Sequence, residues 1–508
     1  MTPGGSGASV AEVTTPAAEP SDTFDVIVIG GGPPGENAAQ YATQDSGLTA
    51  VLVERELVGG ECSYWACMPS KAMLRPIEAL EEARNVPGAQ QAVSGGVDVA
   101  AVLARRDSFV SNHDDTSQAA WLDSVHVPLV RGHARLTGER TVAVELAGGG
   151  TRTLTARRAV VVATGSSAAI PPIEGLRDAT PWTSRDVTNV HEVPRRVVML
   201  GGGVVACESA TWLKALGADE VTVLERGPRL LSTQEPFAGE IVAERFAAGG
   251  VDVRVGSAVT AVRRGEVTRT DEGYPRGSEV TVVTEAGEIV ADEVVAALGR
   301  TPNSRDIGLE TVGLEPGSHL DTDDHMTVRG VPGEWLYAIG DVTGRALLTH
   351  QGKYQARVAG DVITARAAGT PLDGRRFAAT ADHGQVPQVT FTSPQVASVG
   401  LTESAARKAG HQVETVDYDM AAISGSALLR DGYRGQARLV VDPSRQVLLG
   451  ATFVGYDVAE LVHSATVAVV GGVDLETLWH AVPSYPTVSE IWLRLLETWR
   501  TAHASTRS

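Results

Sequence analysis

One glycine-rich turn occurs twice in this chain, each time in the same setting. In the first copy Phe24-Asp25-Val26-Ile27-Val28-Ile29 runs into Gly30-Gly31-Gly32-Pro33-Pro34-Gly35, and a later apolar run, Ala50-Val51-Leu52-Val53, ends at Glu54. In the second, Val197-Val198-Met199-Leu200 runs into Gly201-Gly202-Gly203-Val204-Val205-Ala206, and Val221-Thr222-Val223-Leu224 ends at Glu225. From first glycine to acid the interval is 24 residues in both. A strand entering a Gly-x-Gly-x-x-Gly turn, a helical stretch and a second strand closed by an acid describe a βαβ nucleotide fold. The turn lets backbone N–H groups approach a pyrophosphate at a helix N-terminus, and the acid accepts hydrogen bonds from a ribose diol. Gly30, Gly32, Gly35 and Glu54 are therefore candidates to hold one dinucleotide, and Gly201, Gly203, Ala206 and Glu225 to hold another.

Two further strand ends punctuate the chain, one leading to Ala163-Thr164-Gly165 and one to Gly299-Arg300. A third, Trp335-Leu336-Tyr337-Ala338-Ile339, ends at Gly340-Asp341. From about Val386 the pattern changes to alternating strands and amphipathic helices with no glycine fingerprint. The fold class expected is α/β, with two Rossmann-like domains and a separate C-terminal α+β domain. The formal net charge of −19 disfavours a nucleic-acid surface and gives no reason to expect an anionic membrane as partner. No apolar window approaches the length of a membrane span. Met1 to Thr23 is small, polar and rich in Pro, Gly and Ser, without the basic and apolar regions of a signal peptide, so it is expected to be a disordered tail of a cytoplasmic protein.

The three cysteines are Cys62, Cys67 and Cys207. They are too few for a disulfide framework, and a pair in one motif of a cytosolic chain points to redox work. Residues five apart on a regular α-helix have Cα atoms about 8.6 Å apart, beyond the roughly 7 Å that a disulfide tolerates. Cys62 and Cys67 can pair only if the helix start is distorted, and Gly59 and Gly60 precede them. A cysteine near a helix N-terminus has a stabilised thiolate. Cys207, after the second glycine turn, is expected to be a packed helix residue.

With Gly59-Gly60-Glu61-Cys62-Ser63-Tyr64-Trp65-Ala66-Cys67-Met68-Pro69-Ser70-Lys71 in view, the chain resembles the pyridine nucleotide-disulfide oxidoreductases, from about residue 24 to 495. Five motifs stand in the family's order: the two glycine turns, the cysteine segment, Gly340-Asp341, and Pro486-Thr487-Val488-Ser489-Glu490. The resemblance implies FAD in the first nucleotide site, with Glu54 on the adenosine ribose and Asp341 on the ribityl chain. Gly60, Lys71, Ala163, Thr164, Gly165, Gly299 and Gly340 are expected around the cofactors. It implies NADH or NADPH in the second site. Glu225 favours NADH, whereas Arg226, Arg229 and Ala206 fit NADPH; the balance leans to NADH. Lys71 and Glu208 match an ion pair beside the flavin. Cys67 would face the flavin and Cys62 the acceptor, in a homodimer that brings Tyr485 and Glu490 to the partner's site. The domains implied are FAD-binding (24–175 and 294–375), NAD(P)-binding (176–293) and dimerisation (380–498), with tails at 1–23 and 499–508.

The chain also departs from that pattern. Tyr485 stands where disulfide reductases of the family carry a histidine, and a phenol that titrates near pH 10 is a poor base at neutrality. His480 is a weak substitute, and His463 fits an interface helix better than a base. The Tyr-Pro-Thr segment and Trp65 look like soluble transhydrogenase, and Val204-Val205-Ala206-x-Glu208 like mercuric reductase. The vicinal C-terminal cysteines and the metal-binding Cys-x-x-Cys domain of mercuric reductases are missing, so mercury reduction is disfavoured and no metal site is expected. Tyr64, Trp65 and Tyr485 suggest an aromatic approach to the pair. Three readings stay open: a dithiol relay to a disulfide or other small electrophile, a flavin-centred reductase of a quinone, metal ion or nicotinamide, and a redox sensor.

Overall fold

A strand that is apolar along its whole length must be covered on both faces, and the two strands that enter the glycine turns are buried along nearly all of theirs. The computed structural model, which describes residues 21–270 and 273–504, builds a parallel sheet around each. In the first, Thr23–Ile29 lies between Ala50–Glu54 and Thr151–Val162. Leu129–Gly138 and Leu336–Ala338 add on the outer sides. Thr141–Leu146 pairs antiparallel with both Leu129–Gly138 and Thr151–Val162, turning their far ends into a meander. The second sheet runs Glu293–Ala296, Arg196–Leu200, Glu220–Glu225, Val251–Val255, all parallel. The third is antiparallel: Pro387–Thr390, Gln395–Gly400, Val447–Gly455, Gln436–Asp442, Glu414–Asp419. The mixed α/β class with two Rossmann-like units and a C-terminal α+β unit is what the sequence led us to expect.

The chain passes between the first two sheets where Ser166–Ala168 pairs antiparallel with Arg300–Pro302. The Ala163-Thr164-Gly165 and Gly299 segments therefore lie beside this crossing. Helix Thr349–Ala368 covers the first sheet and packs tightly on helix Pro33–Thr43: a Cβ on Gly352 would meet Pro34 at 2.6 Å, and one on Gly360 would meet Tyr41 at 2.6 Å.

Both expected tails are shorter than the sequence suggested. Residues 1–20 and 505–508 of those tails lie outside the described residues, but Thr23 already belongs to the central strand, and Arg152 holds Asp22 at 2.7 Å. At the other end helix Ile491–Ala502 continues past residue 498, because Trp499 is buried in the C-terminal core, where His503 stacks on it. Among the described residues no helix is long and apolar enough to cross a membrane, and no cluster of His, Cys, Asp and Glu could hold a metal ion.

Candidate functional site

The first glycine turn, the cysteine segment and the Gly340-Asp341 turn meet around one cavity. Its wall includes Gly30, Gly32, Glu54, Gly60, Cys62, Ala163, Thr164, Gly165, Gly340 and Asp341. Six of these are glycine or alanine, which leaves room for a large planar ligand. The Thr164 hydroxyl is buried there with no hydrogen-bond partner, and a Cβ on Gly32 would meet nothing nearer than Pro34 Cδ at 3.9 Å. These features fit FAD. Glu54 has a structural task as well: it accepts from Gly31 N at 2.6 Å and Glu56 N at 2.7 Å. A carboxylate has about four acceptor positions, so two remain for a ribose.

Asp341 is fixed by residues that carry no motif. Ser166 Oγ donates to it at 2.6 Å, and Arg300 donates to the Ser166 hydroxyl and carbonyl, each at 2.6 Å. Gly340 N donates to Gln355 at 2.7 Å, and Gln355 donates in turn to Asp382 at 3.0 Å. Sequence reasoning missed Ser166, Arg300, Gln355 and Asp382, since lone polar residues on separate elements give no local signal.

The cysteine segment begins against the glycine turn: Gly59 N donates to Gly31 O at 2.7 Å, and a Cβ on Gly60 would come within 2.8 Å of Gly32 Cα. Gly59 and Gly60 have φ of +110° and +55°, so the backbone enters in a left-handed conformation that side chains resist. Helix Gly60–Tyr64 then stops. Ala66 adopts a non-helical φ/ψ of −137° and −89°, and a new helix, Cys67–Arg84, starts at Cys67 itself. The distortion expected in a first turn is thus a complete break that puts the two cysteines on different helices, both as free thiols.

This break makes the two thiols unlike. Cys67 opens an 18-residue helix, and its sulfur lies 3.6 Å from the hydroxyl of Thr349, which opens a 20-residue helix. Two helix N-termini therefore favour its thiolate. A hydrogen bond from Cys62, helped by Thr349 and the Lys71 charge, lowers the Cys67 thiol to about 6 against the pull of burial. The Cys62 thiol is pushed up by the hydrogen bond it gives and by burial. Lys71, one turn along the helix, pairs with Glu208 Oε2 at 2.7 Å; Glu208 is 3% exposed and also accepts from Phe391 N at 2.9 Å. The expected pair is therefore formed, and it bridges the helix beneath Cys67, the second glycine helix and the C-terminal unit. Cys62 and Thr349 line the cavity, with Cys67 linked to it through Thr349.

Around the second turn Glu225 repeats what Glu54 does, accepting from Gly202 N at 2.7 Å and Gly227 N at 2.6 Å. Ala206 is fully buried, Gly203 faces open space, Arg226 is exposed, and Arg229 donates to Ser232 O at 3.0 Å. Cys207 is fully buried, its thiol pushed up by burial, as expected of a packed helix residue.

Tyr485 and Glu490 are joined through a residue the sequence did not flag. Tyr485, 73% exposed, donates to Ser424 Oγ at 3.3 Å, and Ser424 N donates to Glu490 Oε2 at 3.1 Å. Glu490 is buried and also bound by Arg494 at 2.8 Å. Of the three aromatic residues expected at the approach, Trp65 lines the cavity together with Cys62, whereas Tyr64 is buried and Tyr485 is exposed on the C-terminal unit. Tyr64 is 2% exposed and tilts against His113, and Trp65 stacks on His113 at 4.1 Å with the Arg185 guanidinium 5.3 Å from its ring centre. His463 and His480 are both exposed.

The model of a pyridine nucleotide-disulphide oxidoreductase matches residues 24–362, and that of the family's dimerisation domain matches residues 386–495. A dihydrolipoyl dehydrogenase of Chlorobaculum tepidum is 32% identical, with 92% of this chain and 95% of the relative covered. A mercuric reductase of Staphylococcus aureus is 31% identical, with 92% and 81% covered. The HOCl-induced flavoprotein disulfide reductase RclA of Escherichia coli shares the fold, with TM-score 0.76, 22% identity, and 93% of this chain and 99% of that one covered.

Proposed function

Because this chain belongs to the pyridine nucleotide-disulphide oxidoreductase family, and is therefore a flavoprotein enzyme using FAD and NAD(P)H, we propose that its electrons leave through Cys62 and Cys67 to a small disulfide or similar electrophile. The observation that carries this reading is the asymmetry of the pair: a stabilised thiolate at Cys67 and a thiol at Cys62 on the cavity wall. When bound, FAD and the nicotinamide supply the two-electron chemistry. Glu54, Asp341 and the first glycine turn would hold the flavin nucleotide. Glu225 and the second turn would hold the nicotinamide nucleotide, with NADH favoured by the carboxylate at Glu225. Lys71 keeps a positive charge one turn from Cys67 and is itself held by Glu208.

Tyr485 works from a second copy of the chain in this reading. Leu428, Val467, Val482 and Tyr485 are exposed apolar side chains of the C-terminal unit, the unit that matches the family's dimerisation domain, and covering them with a partner would bring the Tyr485-Ser424-Glu490 chain to the other cysteine pair. The test is spectroscopic and kinetic together. Anaerobic reduction should give a thiolate-to-flavin absorption band that grows as pH rises through about 6, because Cys67 must lose its proton. Cys62→Ser should keep the band and lose at least 100-fold in acceptor turnover, on the order expected for removing a nucleophile. Full turnover by Cys62→Ser would sink the reading.

One observation favours a second reading. Among the described residues of one chain, the tyrosine in the histidine position bonds the Ser424 hydroxyl rather than a base directly, which suits direct flavin-centred reduction of a quinone or metal ion. Turnover of such acceptors that survives replacement of both Cys62 and Cys67 by serine would support it.

A further inference from the structure

Helices Val99–Phe109 and Thr116–Ser124 are joined by a turn in which Ser111, Asn112 and His113 have φ of +50°, +51° and +59°. Left-handed backbone is disfavoured for residues with a side chain and is ordinarily adopted by single residues. A run of three calls for a reason, and strained backbone of this kind gathers at functional sites. Core packing supplies little of that reason. Val110, just before the turn, is buried, but Ser111 and Asn112 are exposed.

What the turn delivers is a grip on the cysteine segment at two points. Ahead of Cys62, Val58 N donates to Asp115 Oδ2 at 2.7 Å, and Arg131 donates to the other oxygen of that carboxylate at 2.9 Å. Beyond Cys62, the His113 ring stacks on Trp65 with centroids 4.1 Å apart and planes 24° from parallel. His113 Nε2 is buried without a hydrogen-bond partner, so the imidazole serves here through its face rather than through a bond at that atom. Trp65 is held from a further element too: Thr188 Oγ1, on helix Ser184–Thr188, donates to its carbonyl at 2.9 Å. Cys62 and Trp65 line the same cavity, and the helix break at Ala66 follows Trp65 at once. The grip therefore spans Val58 to Trp65, with Cys62 inside it and Cys67 beyond it.

We propose that His113 and Asp115 are positioning residues for Cys62, forming a two-point clamp that keeps the outer thiol of the pair in reach of both its acceptor and Cys67. The proposal rests on the dithiol reading above. With Val58 and Trp65 both fixed, the short helix Gly60–Tyr64 cannot rotate between them, and the Cys62 sulfur stays on the cavity wall. Releasing Trp65 frees the end of that helix nearer the break. Cys62 then loses its place before the acceptor and its hydrogen bond to Cys67, whereas Cys67 keeps its own helix and Thr349.

The experiment uses the FAD-loaded full-length chain with hydroxyethyl disulfide as acceptor. His113→Ala should lower kcat/KM for the acceptor about 100-fold, the cost of misplacing a reacting group by about 1 Å. Anaerobic flavin bleaching by NAD(P)H, per bound flavin, should keep its wild-type rate. The thiolate-to-flavin band, which in the wild type grows as pH rises through about 6, should appear only at higher pH, because Cys67 has lost the hydrogen bond from Cys62. His113→Phe keeps a ring against Trp65 and should restore both the turnover and the band. His113→Leu keeps bulk without an aromatic face, and it carries the test if His113→Ala does not fold. Acceptor kcat/KM or band pH left at its wild-type value, an equal loss in flavin bleaching, or a His113→Phe as impaired as His113→Ala would each overturn the clamp. Turnover that persists in Cys62→Ser would instead overturn the dithiol reading, and the band titration needs no acceptor.

Discussion

The two glycine turns are the same device built twice, yet they differ at the third position. Both use their acid to hold the second glycine N–H, at 2.6 Å in one and 2.7 Å in the other. Both first glycines have nearly the same φ, +104° and +103°. At the third position one copy has Gly35 and the other Ala206. A Cβ on Gly35 would lie 1.9 Å from Gly30 O, whereas the Cβ of Ala206 is fully buried without conflict. Helix Pro33–Thr43 is held between the first sheet and helix Thr349–Ala368, where Gly352 and Gly360 already bring the backbones together. It has no freedom to move off its turn. Among the described residues no glycine brings another helix backbone against the second helix, Val204–Ala215, and it tolerates a methyl group. The third residue of the fingerprint therefore reports how tightly its helix is clamped as well as what the turn binds.

The largest effect should come from filling that contact. Gly35→Ala is expected to destabilise the chain by about 3 kcal/mol, the upper range for overpacking, and to yield protein largely free of flavin. Flavin content per chain and the melting temperature measure both. A variant with full flavin and unchanged melting would show that the first helix is as free to shift as the second, and the contrast would collapse.

A smaller effect should separate the two acids by ligand. Glu225→Ala removes a carboxylate that the second site would offer to a ribose, and should cut kcat/KM for NADH about tenfold, in line with a hydrogen bond to a charged group. Flavin content should stay intact, because Glu54 serves the other turn. If kcat/KM for NADPH starts higher than for NADH in the wild type, or if NADH suffers no loss in the variant, the lean to NADH at this site is wrong.

What the sequence disclosed follows from where its information is local. Strand, turn, helix and acid lie within one short stretch, so both nucleotide folds were legible, whereas the Lys71–Glu208 pair, 137 residues apart, came only from the family resemblance. The break at Ala66 was half legible: spacing demanded a distortion, but its place depends on the Gly60–Gly32 contact across the fold. Thr349, Ser166, Arg300 and Ser424 were invisible, since each meets its partner only after distant segments converge. Trp499 was lost to a supposed tail because its burial depends on the C-terminal sheet rather than on its neighbours.

The smallest expected effect is the most discriminating. If Ala206 were selected to fill space, Ala206→Gly would leave a cavity and cost stability. If it is simply tolerated, the cost should be only the helix penalty of glycine, about 1 kcal/mol. Denaturant unfolding of the FAD-loaded protein measures that difference, and flavin content should not change. A shift in nucleotide preference without loss of stability would assign Ala206 to ligand selection, since a methyl group at the head of the helix then matters only to what approaches the turn. A loss near that of Gly35→Ala would mean that both helices are clamped alike, and that the clamp is set by something other than the glycine contacts along Thr349–Ala368.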